Sequence, residues 1–303
     1  MSSFYMDTSI KRQKSIRVFK YHALGYVFLL PELIIFGIFV IIPVVRGLYL
    51  SFFEFSVFSS KFIGMRNFAD TLTDKLFWKA LSNTTAYTLM VVPGGLAVAV
   101  ILSALIFRLP LKSQTFYKAS FYLPGVISGV VVALTWAWLL DKDTGLMNYI
   151  FSQIGIERFP FLSHYKTALP TLAGITIIGG QGGSIVVLLA NMSAISTDLY
   201  ESASIDGANA VQQFRYVTVP MLKPTILYLL LMGTIGSYQV FDSIYVLTKG
   251  GPANSTMTVS YLIYSSAFNY FEFGKASAIA TLLFLIIMTL SMIQFFGFRR
   301  KEN

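Results

Sequence analysis

The side chains of this sequence that could do chemistry are polar groups within otherwise apolar stretches. Glycine or proline interrupts several of these stretches, and a broken helix frees polar groups to meet a solute inside a helix bundle. We therefore predict that a solute path is lined by Gln181, Ser184, Ser237, Tyr238, Gln239 and Asp242. For most of the glycines, close helix packing is an alternative explanation. Asp242 lies near the end of its stretch, where it could instead cap a helix or form a local ion pair.

Catalytic and metal-binding chemistry has little support in the sequence. The chain has no cysteine, and its two histidines, His22 and His164, are far apart. It also has no G-x-x-x-x-G-K-[ST] phosphate loop, since Gly274-Lys275 is followed by Ala276 instead of a hydroxyl residue. We expect a non-catalytic chain that binds no cofactor or metal of its own.

The composition is that of a membrane protein. Of 303 residues, 55% are hydrophobic and 12% are charged, whereas about a quarter are charged in an average soluble domain. Too few polar residues remain to cover a soluble enzyme, and so apolar a chain is not disordered. The net charge of +9 reflects the scarcity of acids, 14, as much as the 23 bases, so we expect no nucleic-acid partner.

Apolar stretches of membrane-spanning length divide the chain. A helix needs about 20 apolar residues to cross a bilayer, and the stretches that reach this length are 25–48, 81–107, 119–140, 168–192, 225–248 and 276–298. We predict an all-α, polytopic fold with a single transmembrane domain at 25–298, between a basic tail at 1–24 and a short tail at 299–303. The first stretch is too long for a cleaved signal peptide and is expected to remain as an anchor.

Basic residues indicate the orientation, because Lys and Arg collect on the cytoplasmic side of membrane helices. They flank both ends of the domain and are Lys11, Arg12, Lys14, Arg17, Lys20, Arg299, Arg300 and Lys301. We therefore expect a multi-pass protein of the cell membrane, plasma or inner, with both termini in the cytoplasm.

The segment 193–224 joins the fourth and fifth stretches and is expected to be cytoplasmic. Asp198 and Glu201 have the spacing of a capping box, which predicts a short helix. This helix should end near Asp206 and Gly207, because glycine readily takes the positive φ that stops a helix.

A second short helix is predicted from Ala208 to Tyr216. Pro220 and Pro224 should close it, because proline cannot donate a hydrogen bond to a continuing helix. The product is an L-shaped helix pair on the cytoplasmic face.

This segment resembles the EAA loop of ABC importer membrane subunits, written as EAA, three residues, G, nine residues, I-x-L-P. The matching residues, at the same spacing, are Glu201-Ser202-Ala203, Gly207 and Val217-Thr218-Val219-Pro220. Ser202 replaces the middle alanine, and Val217 and Val219 replace larger aliphatic residues. The string ESASIDGA at 201–208 is similar to the carbohydrate-importer branch.

Other segments extend the resemblance along most of the chain. They include FIGMRNF at 62–68, FWKALSNT at 77–84 and the FD and LTKGGP strings at 241–242 and 247–252. Together they resemble the maltose-type or glycerol-phosphate-type first permease of this family.

The resemblance implies a type I ABC importer permease that works in a complex. Its implied partners are a second six-span permease, two copies of an ABC ATPase that bind ATP and magnesium, an extracytoplasmic sugar-binding protein and membrane lipid. It implies that the residues coupling the chain to the ATPase are Glu201, Ala203, Asp206, Gly207, Phe214 and Pro220. The alternative is purely local: Glu201 caps a helix, Gly207 stops one and Phe214 packs.

The resemblance also implies sugar transport, with an oligosaccharide as the expected substrate. Tyr238 and Gln239 could offer a sugar the aromatic face and hydrogen bonds that it needs. A glycerol-phosphate or polyol importer of the same family is an alternative, although the apolar stretches show no deep Arg or Lys for a phosphate. An ion-coupled transporter without an ATPase would need ionisable groups within the stretches, where the sequence offers Glu32 and Asp242, with Arg46 near an end.

Overall fold

The computed structural model describes residues 28–55 and 60–299, which are mostly helical. The first helix, α1, is Phe28–Leu50 and contains a π-helical turn at Gly37–Ile41. A short antiparallel hairpin follows, formed by β1 (Phe53–Phe55) and β2 (Ser60–Phe62). This hairpin is the one β-structure in the described residues, so the fold is mainly helical, as predicted, but not purely so. Facing aromatic rings across the two strands stabilise such a pair.

The remaining helices, in chain order, are α2 (Arg66–Thr73), α3 (Lys75–Phe107), α4 (Leu111–Tyr122), α5 (Gly129–Leu139), α6 (Leu146–Gln153), α7 (Ala168–Gly179), α8 (Gly182–Ser193), α9 (Thr197–Ile205), α10 (Ala210–Gln213), α11 (Val219–Met221), α12 (Lys223–Tyr238), α13 (Asp242–Leu247), α14 (Val259–Tyr264) and α15 (Phe273–Arg299). A 3-10 turn at Leu123–Val126 extends α4, and π-helical turns at Phe214–Thr218 and Ser265–Asn269 follow α10 and α14.

Helices of membrane-spanning length account for most of the described chain. α1, α3, the α12–α13 segment and α15 are each long and apolar enough to cross a bilayer. Two further pairs meet the same test only together: α4 with α5, bent by 92°, and α7 with α8, bent by 43°. By length and composition, the described residues therefore hold four helices that could cross a membrane, or up to six if each bent pair is one span.

The stretch 119–140, expected to be one span, is sharply broken. α4 ends at Tyr122, and the chain turns through Pro124 before α5 begins at Gly129. Proline removes a helical hydrogen bond and clashes with the preceding turn, so a straight helix cannot continue through this point.

α3 is the centre of the packing, with α7, α8 and α12 against it. Around its first half, Tyr87 packs in a buried cluster with Leu172 of α7 and Ile279 of α15. Around its second half, Ala99 packs with Leu188 of α8. Lipid is itself apolar, so van der Waals packing holds these helices together rather than removal of apolar surface from water.

Buried polar groups fix the connection between α13 and α14 onto α3. The Asn83 amide nitrogen donates to the carbonyls of Asn254 and Met257 at 2.9 and 3.0 Å. The Thr84 hydroxyl accepts from the backbone N–H of Val259 at 3.0 Å. Because buried polar groups are costly when unpaired, these bonds hold the connection in one position.

α1 packs less than the other spans. None of its described residues is buried, and its C-terminal part contacts α15. Its apolar side chains therefore face outward, toward lipid or another membrane protein.

Candidate functional site

A cavity of about 290 Å³ lies where α3, α7, α8, α12 and α13 meet. Its polar lining comes from each of these helices and from the break between α7 and α8, and consists of Tyr87, Thr176, Gln181, Ser184, Ser237 and Ser243. The rest of the lining is apolar or glycine. Every described residue that lines this cavity is uncharged, so the cavity offers hydrogen bonds without a fixed ionic charge.

Hydroxyl groups cross-link the helices around the cavity. The Tyr87 hydroxyl lies 2.7 Å from Thr176 Oγ1, which itself donates to the carbonyl of Leu172 at 3.2 Å. The two hydroxyl groups thus form a short chain of hydrogen bonds from Tyr87 to the backbone of α7. On the opposite side, Ser237 Oγ donates to Thr88 Oγ1 at 2.9 Å. These bonds hold α7 and α12 against α3.

Gln181 reaches the cavity because glycines make room on both sides of it. A Cβ atom on Gly95 of α3 would lie 2.6 Å from Gln181 Nε2, so only glycine allows the amide to sit there. A Cβ atom on Gly182 would overlap the carbonyl oxygen of Phe121 at the end of α4. The break between α7 and α8 thus packs closely against two neighbouring helices, α3 and α4.

The residues predicted for the solute path fall into two groups. Gln181, Ser184 and Ser237 line the cavity, whereas Tyr238, Gln239 and Asp242 lie outside its lining. The Tyr238 side chain is buried in the first-half cluster around α3, with its hydroxyl 3.0 Å from Thr85 Oγ1.

Gln239 and Asp242 are exposed at the break between α12 and α13. They adjoin Val240 and Ser243, which do line the cavity. Contact between either side chain and a solute stays a prediction.

Sequence reasoning missed three polar residues of the lining, namely Tyr87, Thr176 and Ser243. Each carries one hydroxyl group, and Tyr87 has no proline or glycine beside it to draw attention to it. A weak signal exists on α3, where Thr84, Tyr87 and Thr88 repeat at the three- and four-residue spacing of one helix face.

The segment 193–224 forms the predicted pair of short helices with a turn at Gly207. α9 ends at Ile205, and Gly207 has φ +79°, a conformation that costs other residues about 1 kcal/mol or more. The N–H of Ala208 returns to the carbonyl of Ala203 at 2.9 Å and closes the turn.

The caps of this segment differ from the prediction. Ser196, not Asp198, caps α9, and its hydroxyl accepts from the N–H of Asp198. The capping box lies instead at the second helix, between Asn209 and Gln212. The expected box at Asp198 was wrong because serine two residues earlier is an equally good cap and starts the helix sooner.

The second helix also differs from its predicted limits of Ala208 and Tyr216. It begins at Ala210 and continues as a π-helical turn through Thr218 and then α11. Pro220 lies in the last turn of this continuous helical run, which ends at Met221, and Pro224 lies in the first turn of α12. The second helix therefore ends beside Pro220, as predicted, whereas Pro224 starts the next helix, where its missing N–H costs nothing.

Two contacts connect this segment with the membrane helices and with itself. Arg108, just after α3, donates from Nη2 to the carbonyl of Ala210 at 3.0 Å. The Tyr200 hydroxyl of α9 lies 2.9 Å from Thr218 Oγ1. These bonds join the short helices to each other and to the end of α3.

The predicted coupling residues lie on both sides of the turn. Glu201, Asp206 and Gly207 are exposed, and Phe214 packs in the cluster around the second half of α3. Ala203 and Pro220 are half-buried.

Two apolar side chains beside the turn are strongly exposed: Ile205 at 86% and Val211 at 72%. Both side chains are open to contact from outside the chain.

Within the described ranges, no group of His, Asp or Glu side chains could hold a metal ion. The described residues form two candidate functional parts. One is a hydrogen-bonding cavity among the membrane helices, and the other is the pair of short helices that turn at Gly207.

Comparison with known proteins identifies the family. Residues 75–301 match the family described as the binding-protein-dependent transport system inner membrane component. The chain is 34% identical to the probable ABC transporter permease YurN of Bacillus subtilis (strain 168), over 92% of this chain and 97% of that protein. It is 32% identical to the trehalose/maltose transport system permease MalF of Thermococcus litoralis, over 95% and 97% respectively.

A solved structure agrees with these matches. The chain superposes with a TM-score of 0.83 on a subunit of a bacterial ABC transporter involved in the import of the acidic polysaccharide alginate. The two are 26% identical, and the match covers 95% of this chain and 99% of that one. With its apolar spans, its central cavity and this agreement over nearly its whole length, the chain belongs to the family of inner membrane components of binding-protein-dependent ABC transport systems.

Proposed function

We propose that the chain is a permease subunit of an ATP-driven, binding-protein-dependent importer of a neutral sugar, with an oligosaccharide as the expected substrate. The cavity among α3, α7, α8, α12 and α13 carries the proposal. Its hydroxyl and amide groups are the kind of donors and acceptors that bind sugar hydroxyls, and they lie at a helix break within the spans. Similarity to a trehalose/maltose permease and to a subunit of an alginate importer supports the sugar class.

The uncharged lining favours a neutral substrate over an anionic one. A glycerol phosphate or an acidic polysaccharide needs Arg or Lys nearby, since charge-assisted hydrogen bonds are about twice as strong as neutral ones. In the part of the chain that the structure describes, the cavity lining has neither. We place Gln181, Ser184 and Ser237 in direct contact with the substrate, with Gln239 and Asp242 near the entrance. Tyr238 supports the path from behind.

The chain forms half of the path in this proposal. A second six-span permease covers the remaining side, so that the complex has twelve spans, and an extracytoplasmic sugar-binding protein delivers the substrate. Two ABC ATPase subunits bind ATP and magnesium on the cytoplasmic side, where both termini of this chain also lie. This chain itself is not an enzyme.

Coupling to the ATPase uses the short helices around Gly207. Ile205 and Val211 are exposed beside the turn and supply the apolar contact, while Glu201 and Asp206 supply polar contacts at its edge. Phe214 and Pro220 anchor the pair on the membrane helices, and Ala203 keeps α9 narrow. The Arg108 bond to Ala210 then passes the movement to α3.

Purification of the tagged chain from its native membrane in a mild detergent tests the proposal. We expect a second permease and an ABC ATPase to co-purify with the unchanged chain. Glu201→Ala should weaken retention of the ATPase. Gly207→Pro should abolish it, because proline cannot adopt φ +79°.

Gly155→Pro is the matched control. Gly155 also has a positive φ, +76°, and like Gly207 it donates its N–H to a serine carbonyl three residues earlier, but it follows α6. This variant suffers the same backbone strain and should keep the ATPase. A chain that purifies alone would contradict the proposal and favour an ion-coupled transporter. Equal loss of the ATPase in both proline variants would contradict the coupling role of the turn at Gly207.

A further inference from the structure

An apolar groove of about 480 Å³ lies on the far side of α7 from the central cavity, between α5, α6 and α7. Its lining includes Trp136 and Leu140 at the end of α5, Phe159 and Phe161 from the connection before α7, and Ile175 and Ile178 of α7. Gly174 also lines the groove, and a Cβ atom placed there would meet nothing within 4 Å. The space is therefore open, and it is bounded almost entirely by carbon atoms.

The groove is bordered by apolar helices and has one lysine in its lining. α5 and α7 belong to the two bent helix pairs that are, each taken together, long and apolar enough to cross a bilayer. Lys166 lines the groove just before α7 begins, and Trp136 lies near the end of α5, at the same end of these two helices. Lysine and tryptophan at helix ends are typical of the membrane interface, where lipid head groups lie.

Lys166 is available to an external anion. The ion pairs among the described residues do not involve it, and its Nζ lies 5.7 Å from the centre of the Tyr165 ring. Two carboxylates between α5 and α6 have partners of their own: Asp143 pairs with Arg158 at 3.4 Å, and Asp141 accepts from the N–H and hydroxyl of Thr144 at 2.8 Å.

The shape of the groove suits a flexible chain better than a helix. A single helical turn, about 10 Å wide and 5.4 Å long, already occupies roughly 420 Å³, so a helix of a partner protein would fit only one turn. An acyl chain can follow an irregular apolar groove, and its phosphate would then lie at the level of the lysine. Lysine binds phosphate as a compact point charge.

We infer that this groove holds one acyl chain of an anionic phospholipid whose phosphate is bound by Lys166. The lipid becomes a fixed part of the surface beside α5, α6 and α7. The inference does not depend on which substrate the central cavity takes.

Native mass spectrometry of the purified chain tests this inference. The chain in a neutral detergent is offered phosphatidylglycerol or phosphatidylcholine with identical acyl chains, and the retained lipid is counted. We expect the unchanged chain to retain phosphatidylglycerol about fivefold better than phosphatidylcholine. Lys166→Gln should remove this preference. Gly174→Leu should lower retention of both lipids, because a side chain added at this open position would occupy the groove.

Two variants serve as controls. Lys142→Gln removes a lysine near the same end that does not line the groove, and Gly47→Leu adds the same side chain at an open position on α1. Both should behave like the unchanged chain, and size-exclusion chromatography should show that all variants fold alike. Equal retention of the two lipids by the unchanged chain, or equal effects of Lys166→Gln and Lys142→Gln, would overturn the inference. Loss of a co-purifying protein from Gly174→Leu with lipid retention unchanged would assign the groove to that protein and overturn it as well.

Discussion

Tyr238 and Gln181 were predicted to share the solute path, but they have different surroundings. The Tyr238 hydroxyl bonds to Thr85 Oγ1, away from the cavity lining, whereas the Gln181 side chain lines the cavity. Tyr238→Phe removes one hydrogen bond, so we expect a loss of about 1 kcal/mol in the free energy of unfolding and unchanged sugar uptake.

Gln181→Ala should do the reverse, with uptake lower by about tenfold and little change in stability. Thermal unfolding in detergent and uptake of the sugar by intact cells measure the two effects. A loss of uptake in Tyr238→Phe at normal expression would place the tyrosine in the path after all.

Asp74 and Lys275 form the best-protected ion pair of the described residues, with Oδ2 and Nζ 3.1 Å apart and about a third or less of each side chain exposed. Burial alone would raise the pKa of Asp74, but the N–H of Leu76 and the Lys275 ammonium outweigh it and hold the pKa below its ordinary value. The ionised carboxylate therefore stabilises the fold at pH values above the ordinary pKa. This contribution is lost as the pH falls through the lowered pKa.

We predict that Asp74→Asn lowers stability at pH 7 by roughly 0.5–1 kcal/mol and makes stability less dependent on pH in the acid range. Asparagine can still cap α3, so the change isolates the charge. The control is Asp70→Asn. Both side chains of the Asp70–Arg66 pair are exposed, so this pair should contribute little to stability. Unfolding midpoints measured from pH 7 to pH 3 should separate the two variants, and parallel curves would contradict the prediction.

Sequence reasoning located some path residues and not others for a physical reason. Gln181 and Ser184 stood out because glycines surround them in the sequence. Tyr87 and Thr176 meet only through the packing of α3 on α7, and the 2.7 Å bond between them has no local sequence signature. Which face of a helix is turned toward a cavity is set by its neighbours, and so a single sequence cannot show it.

Among the helices, the break between α7 and α8 has the most exacting contacts. A Cβ atom added at Gly182 would overlap the backbone of Phe121, whereas a Cβ atom added at Gly183 would meet nothing within 4 Å. Gly182→Ala should therefore force α8 away from α4, and we expect a loss of stability of about 1–3 kcal/mol from overpacking together with reduced uptake.

Gly183→Ala, one residue later in the same helix, is the matched control. It fills open space and improves helix propensity, so it should leave stability unchanged or raise it by up to about 1 kcal/mol. Unfolding midpoints in detergent and uptake rates compare the two. Equal behaviour of the two alanine variants would show that the contact with Phe121 does not constrain the helix.

The positions of helices were easier to predict than their interruptions. Long apolar stretches fix where α3 and α15 run, because only a helix satisfies its backbone in lipid. The 92° bend after α4 is different, since Pro124 indicates a break but not the direction in which the chain leaves it. The caps of α9 and α10 were misplaced for a similar reason, because Ser196, Asp198 and Asn209 are all competent caps and tertiary packing decides which is used.

For the whole molecule, orientation in the membrane rests on the distribution of Lys and Arg. Several of the basic residues that indicate it, at 11–20 and 300–301, lie outside the described residues. If both termini are cytoplasmic, the turn at α6 faces outward and the beginning of α4 faces the cytoplasm. The chain contains no cysteine, so single cysteines can report this directly without any background substitution.

We predict that Ser152→Cys, an exposed position on α6, reacts with a membrane-impermeant maleimide in intact cells. Lys112→Cys, exposed in the first turn of α4, should react only after the membrane is opened. The two sites are similarly exposed, so a difference in labelling reports the side of the membrane and not burial. The reverse labelling pattern would show that the molecule has the opposite orientation in the membrane. The short helices around Gly207 would then lie outside the cell, where no ATPase could reach them.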